Sequence, residues 1–138
     1  MKKRFFILGL FFLSSLFLVA QTTDYKVVFD LTSKDSLDQQ AVIRWLREIT
    51  TERPDAKLEV VMYAKGINMV TKDRSSVADA VTKLTANKNI SFKVCAIALK
   101  NQGIDKSQLL SGIEIVPDGI YELISKQREG WGYIKATH

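Results

Sequence analysis

The chain has 138 residues, of which 46% are hydrophobic and 25% charged, and its formal net charge is +5. This length predicts one domain, and the composition excludes disordered, collagen-like and coiled-coil proteins. The basic residues form no stripe interleaved with aromatic side chains, so we expect no binding to nucleic acid.

The N-terminal segment has the pattern of a secretory signal peptide. Residues 1–4 are mostly basic, residues 5–19 carry no charge, and Ala20 is a small residue followed by a polar stretch. A membrane-spanning helix needs about 20 apolar residues, so the uncharged run is short for an anchor. We therefore predict a signal peptide at 1–20 and a mature domain at 21–138, exported to a bacterial periplasm and free of the membrane after cleavage.

The rest of the chain alternates strand-like and helix-like segments. In chain order the predicted elements are a strand at 25–31, a helix at 36–53, a strand at 57–64, a short helix at 67–72, a helix starting within 73–76, a strand at 90–95, helical turns at 96–102 and 105–110, a strand at 113–116, a helix at 117–129 and a strand at 131–135. Because such alternation implies right-handed crossovers, it predicts an α/β fold whose mostly parallel sheet of about five strands is covered on both faces.

Local signals mark the ends of the two long helices. Ser36 and Gln39 have the spacing of a capping box, and the helix that they begin should end before Pro54. Pro117 fits the first turn of the last long helix, where a missing N–H group is tolerated. The predicted buried face of that helix consists of Ile120, Leu123 and Ile124.

Most motifs for metal, nucleotide or acid–base chemistry are missing from the sequence. Zinc sites draw on clustered histidine and cysteine, whereas this chain has one of each. No glycine-rich phosphate motif is present, and we interpret Lys65-Gly66 as a turn between strand and helix. Asp30 and Asp118 are predicted to be charges or caps at helix N-termini, and His138 a mobile terminal side chain. The sequence predicts neither a metal nor an organic cofactor.

Cys95 is the one candidate for a reactive centre. It lies where the third strand ends and a helical turn begins, and open α/β sheets bind ligands at the carboxyl ends of their strands. A helix N-terminus there would stabilise the nucleophilic thiolate form, with the thiol open to solvent at the sheet rim. Lys93 should share the face of Cys95, and Lys65 and Lys100 could lie near the same edge.

A different interpretation of Cys95 stays open at this point. Free cysteine is among the most buried residue types, so the side chain could simply be a small hydrophobe in the core. Trp45, Trp131 and Tyr133 would then be core or interface residues, and their apolar surroundings favour the core.

Several segments together resemble the DsrE/DsrF-like family of small sulfur-handling proteins. The matching stretches run through nearly the whole mature domain, at 58–67, 90–95, 116–120 and 130–135. The resemblance implies a three-layer α/β/α sandwich that assembles as a homo-oligomer. It also implies a cysteine that carries sulfur as a persulfide, and Cys95 alone matches that residue. Many relatives have a histidine beside the glycine turn, where this chain has Tyr63 and Ala64.

Two functions follow as hypotheses from these residues. In the first, the protein is an exported sulfur-binding or sulfur-transfer protein that uses Cys95 and exchanges sulfur with a donor or acceptor protein. In the second, it is a non-catalytic homo-oligomeric binding or assembly module in which the cysteine is structural.

Overall fold

The computed structural model describes residues 24–138, so the predicted signal peptide lies outside the described part of the chain. Its centre is a five-stranded sheet in the order β4-β3-β2-β1-β5, and each neighbouring pair of strands is parallel. The strands are β1 (Lys26–Leu31), β2 (Lys57–Met62), β3 (Ile90–Cys95), β4 (Glu114–Val116) and β5 (Gly132–Lys135). The predicted α/β fold with about five strands is therefore confirmed.

Helices connect the strands in the predicted order. They are α1 (Ser36–Glu52), α2 (Ala78–Leu84), α3 (Ala96–Gln102) and α4 (Gly119–Arg128), with 3₁₀ helices at Ala64–Val70 and Lys106–Gln108. No helix within residues 24–138 has both the length and the apolar character that crossing a bilayer would require.

The two faces of the sheet differ in what covers them. Side chains alternate between faces along a strand, so Phe29 and Leu31 point to one side and Val28 and Asp30 to the other. The first side packs against α1, α3 and the first 3₁₀ helix and holds most of the buried apolar side chains. The second side is covered by α4, whose Leu123 packs on the sheet. Helices on both sides make the three predicted layers.

Both long helices begin differently from the sequence prediction. The N-cap of α1 is Asp35, whose carboxylate accepts a hydrogen bond from the Leu37 N–H at 2.8 Å, and Ser36 is the first helical residue. The N-cap of α4 is Asp118, so Pro117 precedes the helix. In both cases an aspartate carboxylate satisfies the free N–H groups of the first turn. The predicted cap role of Asp118 is confirmed.

The predicted buried face of α4 is largely wrong. Leu123 is buried, but Ile120 and Ile124 are exposed together with Tyr121, by 54%, 42% and 64% respectively. The remaining inward positions of α4 carry charged side chains that meet charged residues of the sheet, and this pairing was not visible in the helix alone.

Candidate functional site

Cys95 lies at the carboxyl edge of the sheet. It is the last residue of β3 and the N-cap of α3, and its backbone is extended, with φ −71° and ψ 121°. Parallel strands end at the same edge, so the ends of β2 and β4 lie next to it. This position agrees with the strand–helix junction expected from the sequence.

The thiol is covered, and the expectation of an open thiol is wrong. Cys95 is 5% exposed. The first residue of α4, Gly119, lies directly over it: a Cβ atom placed on Gly119 would be 3.2 Å from Cβ of Cys95 and 3.4 Å from Cβ of Tyr63. The absence of a side chain at position 119 lets α4 approach the end of β3 closely, and this approach buries the cysteine.

Lys93 lies on the same face of the sheet as Cys95, but its ammonium group pairs with two glutamates. Its ammonium lies 3.2 Å from Oε2 of Glu59 on β2 and 3.0 Å from Oε1 of Glu122 on α4. Burial opposes the charged form, but the hydrogen bonds and the negative charges of the two glutamates together outweigh burial and raise the pKa of Lys93. The other two lysines, Lys65 and Lys100, are exposed. The charge of Lys93 is therefore paired with the two glutamates and not with the thiol.

An ion cluster lies beneath α4 on the same face as Cys95. Glu59 accepts hydrogen bonds from Ser91 and Lys93, and Lys126 of α4 is 3.7 Å from the same carboxylate oxygen. Burial raises the pKa of Glu59. Burial also acts to raise the pKa of Glu122, but its hydrogen bonds and the positive charges of Lys93 and Lys126 together outweigh burial and lower this pKa. The two carboxyl groups in this cluster therefore have different proton affinities.

A second polar cluster surrounds Asp30 at the carboxyl end of β1. Asp30 is buried, and it accepts hydrogen bonds from the Tyr133 hydroxyl at 2.6 Å and from Nζ of Lys135 at 3.1 Å. The hydrogen bond to Asp30 raises the pKa of Tyr133 to about 12. Nζ of Lys135 also lies 5.8 Å from the ring centroid of Tyr63. Tyr63 therefore lies near both this cluster and Gly119, the residue that covers Cys95.

The sequence analysis missed the role of Asp30 in this cluster. The prediction treated it as a helix-terminal charge, whereas the structure pairs it with residues of β5 that are over a hundred positions away. Tyr133 and Lys135 alternate along β5, which places both on one face. The alternation along β5 can be predicted from the sequence, but the strand that lies beside β5 in the sheet cannot.

His138 also differs from its prediction. Its backbone N–H donates to Oδ1 of Asp38 at 2.7 Å, and its Nδ1 lies 2.8 Å from the same oxygen. The hydrogen bond to Asp38 raises the pKa of His138. The terminal side chain is therefore docked on the first turn of α1, far along the chain from Cys95. Residues 24–138 bring together no group of three or more side chains suited to hold a metal ion.

A family model matches most of the chain. The DsrE/DsrF-like family model covers residues 20–136. The chain belongs to the DsrE/DsrF-like family. Proteins of this family act in sulfur relay with partner proteins, so membership suggests a role of that class. Among curated proteins no match is found.

Solved structures share the fold of this family member. A protein of unknown function from Methanobacterium thermoautotrophicum is 31% identical with a TM-score of 0.76, over 81% of this chain and 99% of that chain. The ychN protein from E. coli is 15% identical with a TM-score of 0.68, over 81% and 98%. A conserved protein of unknown function from Bacteroides thetaiotaomicron is 15% identical with a TM-score of 0.65, over 80% and 93%. The last two similarities concern the fold alone.

Proposed function

We propose that this DsrE/DsrF-like protein is an exported sulfur carrier that holds sulfane sulfur as a persulfide on Cys95. The observation that carries the proposal is the family match over residues 20–136, within which the chain's one cysteine ends a central strand. The carboxyl edge of a parallel sheet is the usual ligand-binding edge of such folds. Export rests on the signal-like pattern at residues 1–20.

The reaction is a transfer of one sulfur atom between thiols. The Cys95 thiolate attacks the terminal sulfur of a polysulfide or of a donor persulfide, and a new S–S bond forms on Cys95. The S–S bond of the donor breaks, and the shortened donor leaves with the electron pair as a thiolate or sulfide. No net oxidation occurs, and neither a metal nor an organic cofactor takes part. A partner thiol then removes the sulfur by the reverse chemistry.

The burial of Cys95 sets a condition on this chemistry. A donor reaches the sulfur only when the first turn of α4 moves away from the end of β3, because Gly119 covers the cysteine. Local openings of this kind cost less free energy than global unfolding when few buried apolar contacts hold the element. In α4 the buried positions are Gly119 and Leu123.

Intact-mass spectrometry tests the proposal directly. After native protein is exposed to polysulfide, we expect a mass increase of one sulfur atom that is reversed by a reducing thiol. The Cys95→Ser variant is the matched control, because it replaces only the sulfur atom and should show no increase. If native protein stays unmodified while denatured protein gains the sulfur, Cys95 is not a carrier in the folded state.

The competing function is a non-catalytic homo-oligomeric module. Two observations favour it: Cys95 is buried, and α4 presents Ile120, Tyr121 and Ile124 to solvent. Adjacent exposed apolar side chains on one helix are typical of a protein interface. In this function the native thiol resists iodoacetamide until denaturant is added, and Ile124→Glu lowers the oligomeric state measured by light scattering. This function is contradicted if iodoacetamide modifies the native thiol and if Ile124→Glu has the same oligomeric mass as the wild type.

A further inference from the structure

The most exposed apolar side chains of residues 24–138 lie at one edge of the sheet. Four large apolar residues are more than half exposed: Leu37, Ile97, Ile120 and Tyr121, by 51%, 51%, 54% and 64%. Each of them lies in the first turn of a helix that follows a strand. Because the strands are parallel, these first turns all stand at the carboxyl edge of the sheet, which is also the edge of Cys95.

Three of these side chains lie next to the cysteine in the fold. Cys95 is the N-cap of α3, so Ile97 follows it by two residues. Gly119 covers Cys95, and Ile120 and Tyr121 are the next two residues of the same turn of α4. This is the turn that has to move before a donor reaches the sulfur. Exposed apolar surface therefore flanks Cys95 on both α3 and α4.

Two lysines add positive charge beside this apolar surface. Lys65 lies in the 3₁₀ helix after β2, and Lys100 lies on α3 three residues after Ile97, on the same side of the helix. A hydrogen bond from Nε2 of Gln102 to the Ala64 carbonyl joins α3 to the backbone beside Lys65. The two lysines and the three apolar residues form what we call the rim surface: Lys65, Ile97, Lys100, Ile120 and Tyr121.

The positive charge of the rim surface is not neutralised by the protein itself. Both of its lysines are exposed, and neither forms an ion pair with a carboxylate within residues 24–138. The carboxylates at this edge have other partners. Asp30 pairs with Lys135, and Asp35 and Asp118 accept hydrogen bonds from the first turns of α1 and α4. The charge that remains for a ligand is therefore positive.

We propose that the rim surface is the docking site of an acidic partner protein whose thiol or persulfide exchanges sulfur with Cys95. This inference rests on the proposed sulfur chemistry and names the kind of partner. Small-molecule sites are concave, whereas the apolar side chains of the rim surface stand out from helix ends. Exposed apolar residues beside charged ones are typical of protein interfaces, and complementary charge speeds the encounter of the two proteins.

Activated peptide disulfides serve as probes of this surface. Two short peptides each have a central cysteine between leucines, and they differ in carrying either two glutamates or two lysines. In both, the cysteine is joined to nitrothiobenzoate. The Cys95 thiolate attacks the peptide sulfur, a new S–S bond forms, and nitrothiobenzoate leaves with the electron pair, so its absorbance gives the rate. Any step that uncovers Cys95 cancels in the ratio of the two rates.

The acidic peptide should react about tenfold faster than the basic one at low ionic strength, and the difference should shrink as salt is added. Lys65→Glu and Lys100→Glu should each lower this ratio. Lys88→Glu is the matched control, because it makes the same change of charge at an exposed position before β3, at the opposite edge of the sheet. Ile97→Ser should slow both peptides several-fold and leave the rate with iodoacetamide unchanged.

Three results would overturn the docking site. The first is a rate ratio that responds to Lys88→Glu as strongly as to Lys65→Glu and Lys100→Glu. The second is a native thiol that reacts with neither peptide. The third is a wild-type oligomer whose mass, measured by light scattering, falls in Ile97→Ser, because the rim surface would then bind a second copy of this chain.

The sulfur chemistry is tested separately, by the mass increase after exposure to polysulfide. A protein that gains sulfur from polysulfide but reacts equally with both peptides keeps the proposed function and loses the docking site. A protein that prefers the acidic peptide but gains no sulfur keeps the docking surface for an acidic partner and loses the sulfur chemistry.

Discussion

At the scale of single residues, Asp30 shows how one buried carboxylate organises the sheet edge. It satisfies the Tyr133 hydroxyl and the Lys135 ammonium, and the same ammonium reaches Thr32 at 2.9 Å. Buried charges are stable in proteins when they are paired and hydrogen-bonded, and Asp30 meets both conditions. Its contacts hold the end of β5 against β1, close to the Tyr63 ring.

A substitution at Asp30 should change the titration of Tyr133. Replacing Asp30 with Asn removes the negative charge that accepts the phenol proton, so we expect the pKa of Tyr133 to fall from about 12 towards the ordinary value of 10.0. The ultraviolet absorbance of tyrosinate measures this pKa. Tyr133→Phe identifies which step of the titration belongs to this residue. An unchanged titration in Asp30→Asn would contradict the observed hydrogen bond.

At the scale of elements, α4 buries fewer side chains than α1, the other long helix. Its ten residues bury Gly119 and Leu123, whereas the seventeen residues of α1 bury six side chains. Charged contacts with Glu59 and Lys93 make up much of the remaining interface. A helix held in this way is expected to open locally before the rest of the fold does.

A methyl group at Gly119 should disturb this element. In Gly119→Ala the new Cβ would meet Cys95 at 3.2 Å and both Tyr63 and Val61 at 3.4 Å. Helix propensity would favour alanine by about 1 kcal/mol, but crowding against packed side chains costs about 1–3 kcal/mol. We therefore expect a net loss of stability in urea denaturation and faster alkylation of Cys95.

An exposed position of the same helix provides the control for that substitution. Gln127→Ala changes a solvent-facing residue of α4 and should leave both the stability and the alkylation rate close to wild type. A Gly119→Ala protein that is as stable as Gln127→Ala, with an equally protected thiol, would show that α4 can adapt without opening.

At the scale of the whole molecule, most of the apolar side chains buried within residues 24–138 belong to one cluster. The main apolar cluster draws on β1, β2 and β3 and on the helices of one face, and its members begin at Val27. A single domain of this size is expected to unfold in one cooperative step.

Removal of the predicted signal peptide should therefore leave the fold intact. We expect a protein consisting of residues 21–138 to unfold in a single transition in urea, with the same midpoint by circular dichroism and by tryptophan fluorescence. When the full chain is produced in a bacterium, the mass of the exported form should correspond to a start at Gln21. Two separate transitions for residues 21–138 would mean that the core is not complete in this range.

Individual residues show how far the sequence could predict the site. The end of β3 at Cys95 and the turn of helix after it were predicted correctly, because hydrophobic periodicity and a glycine at the helix C-terminus are local signals. The burial of Cys95 was not predicted, since the residue that covers it, Gly119, comes from another helix. Glu59 was read simply as part of a strand, because its charged partners lie on β3 and α4.

The sequence by itself determined the alternation of strands and helices, the α/β class and the position of the one cysteine. These properties follow from side-chain periodicity within short segments and from the handedness of crossovers. The tertiary structure alone decided that β5 lies beside β1, that Asp30 meets Tyr133 and Lys135, and that α4 closes over Cys95. Each of these contacts joins residues far apart in the chain, and it forms because a buried charge or an uncovered sheet face requires a partner that local sequence cannot name.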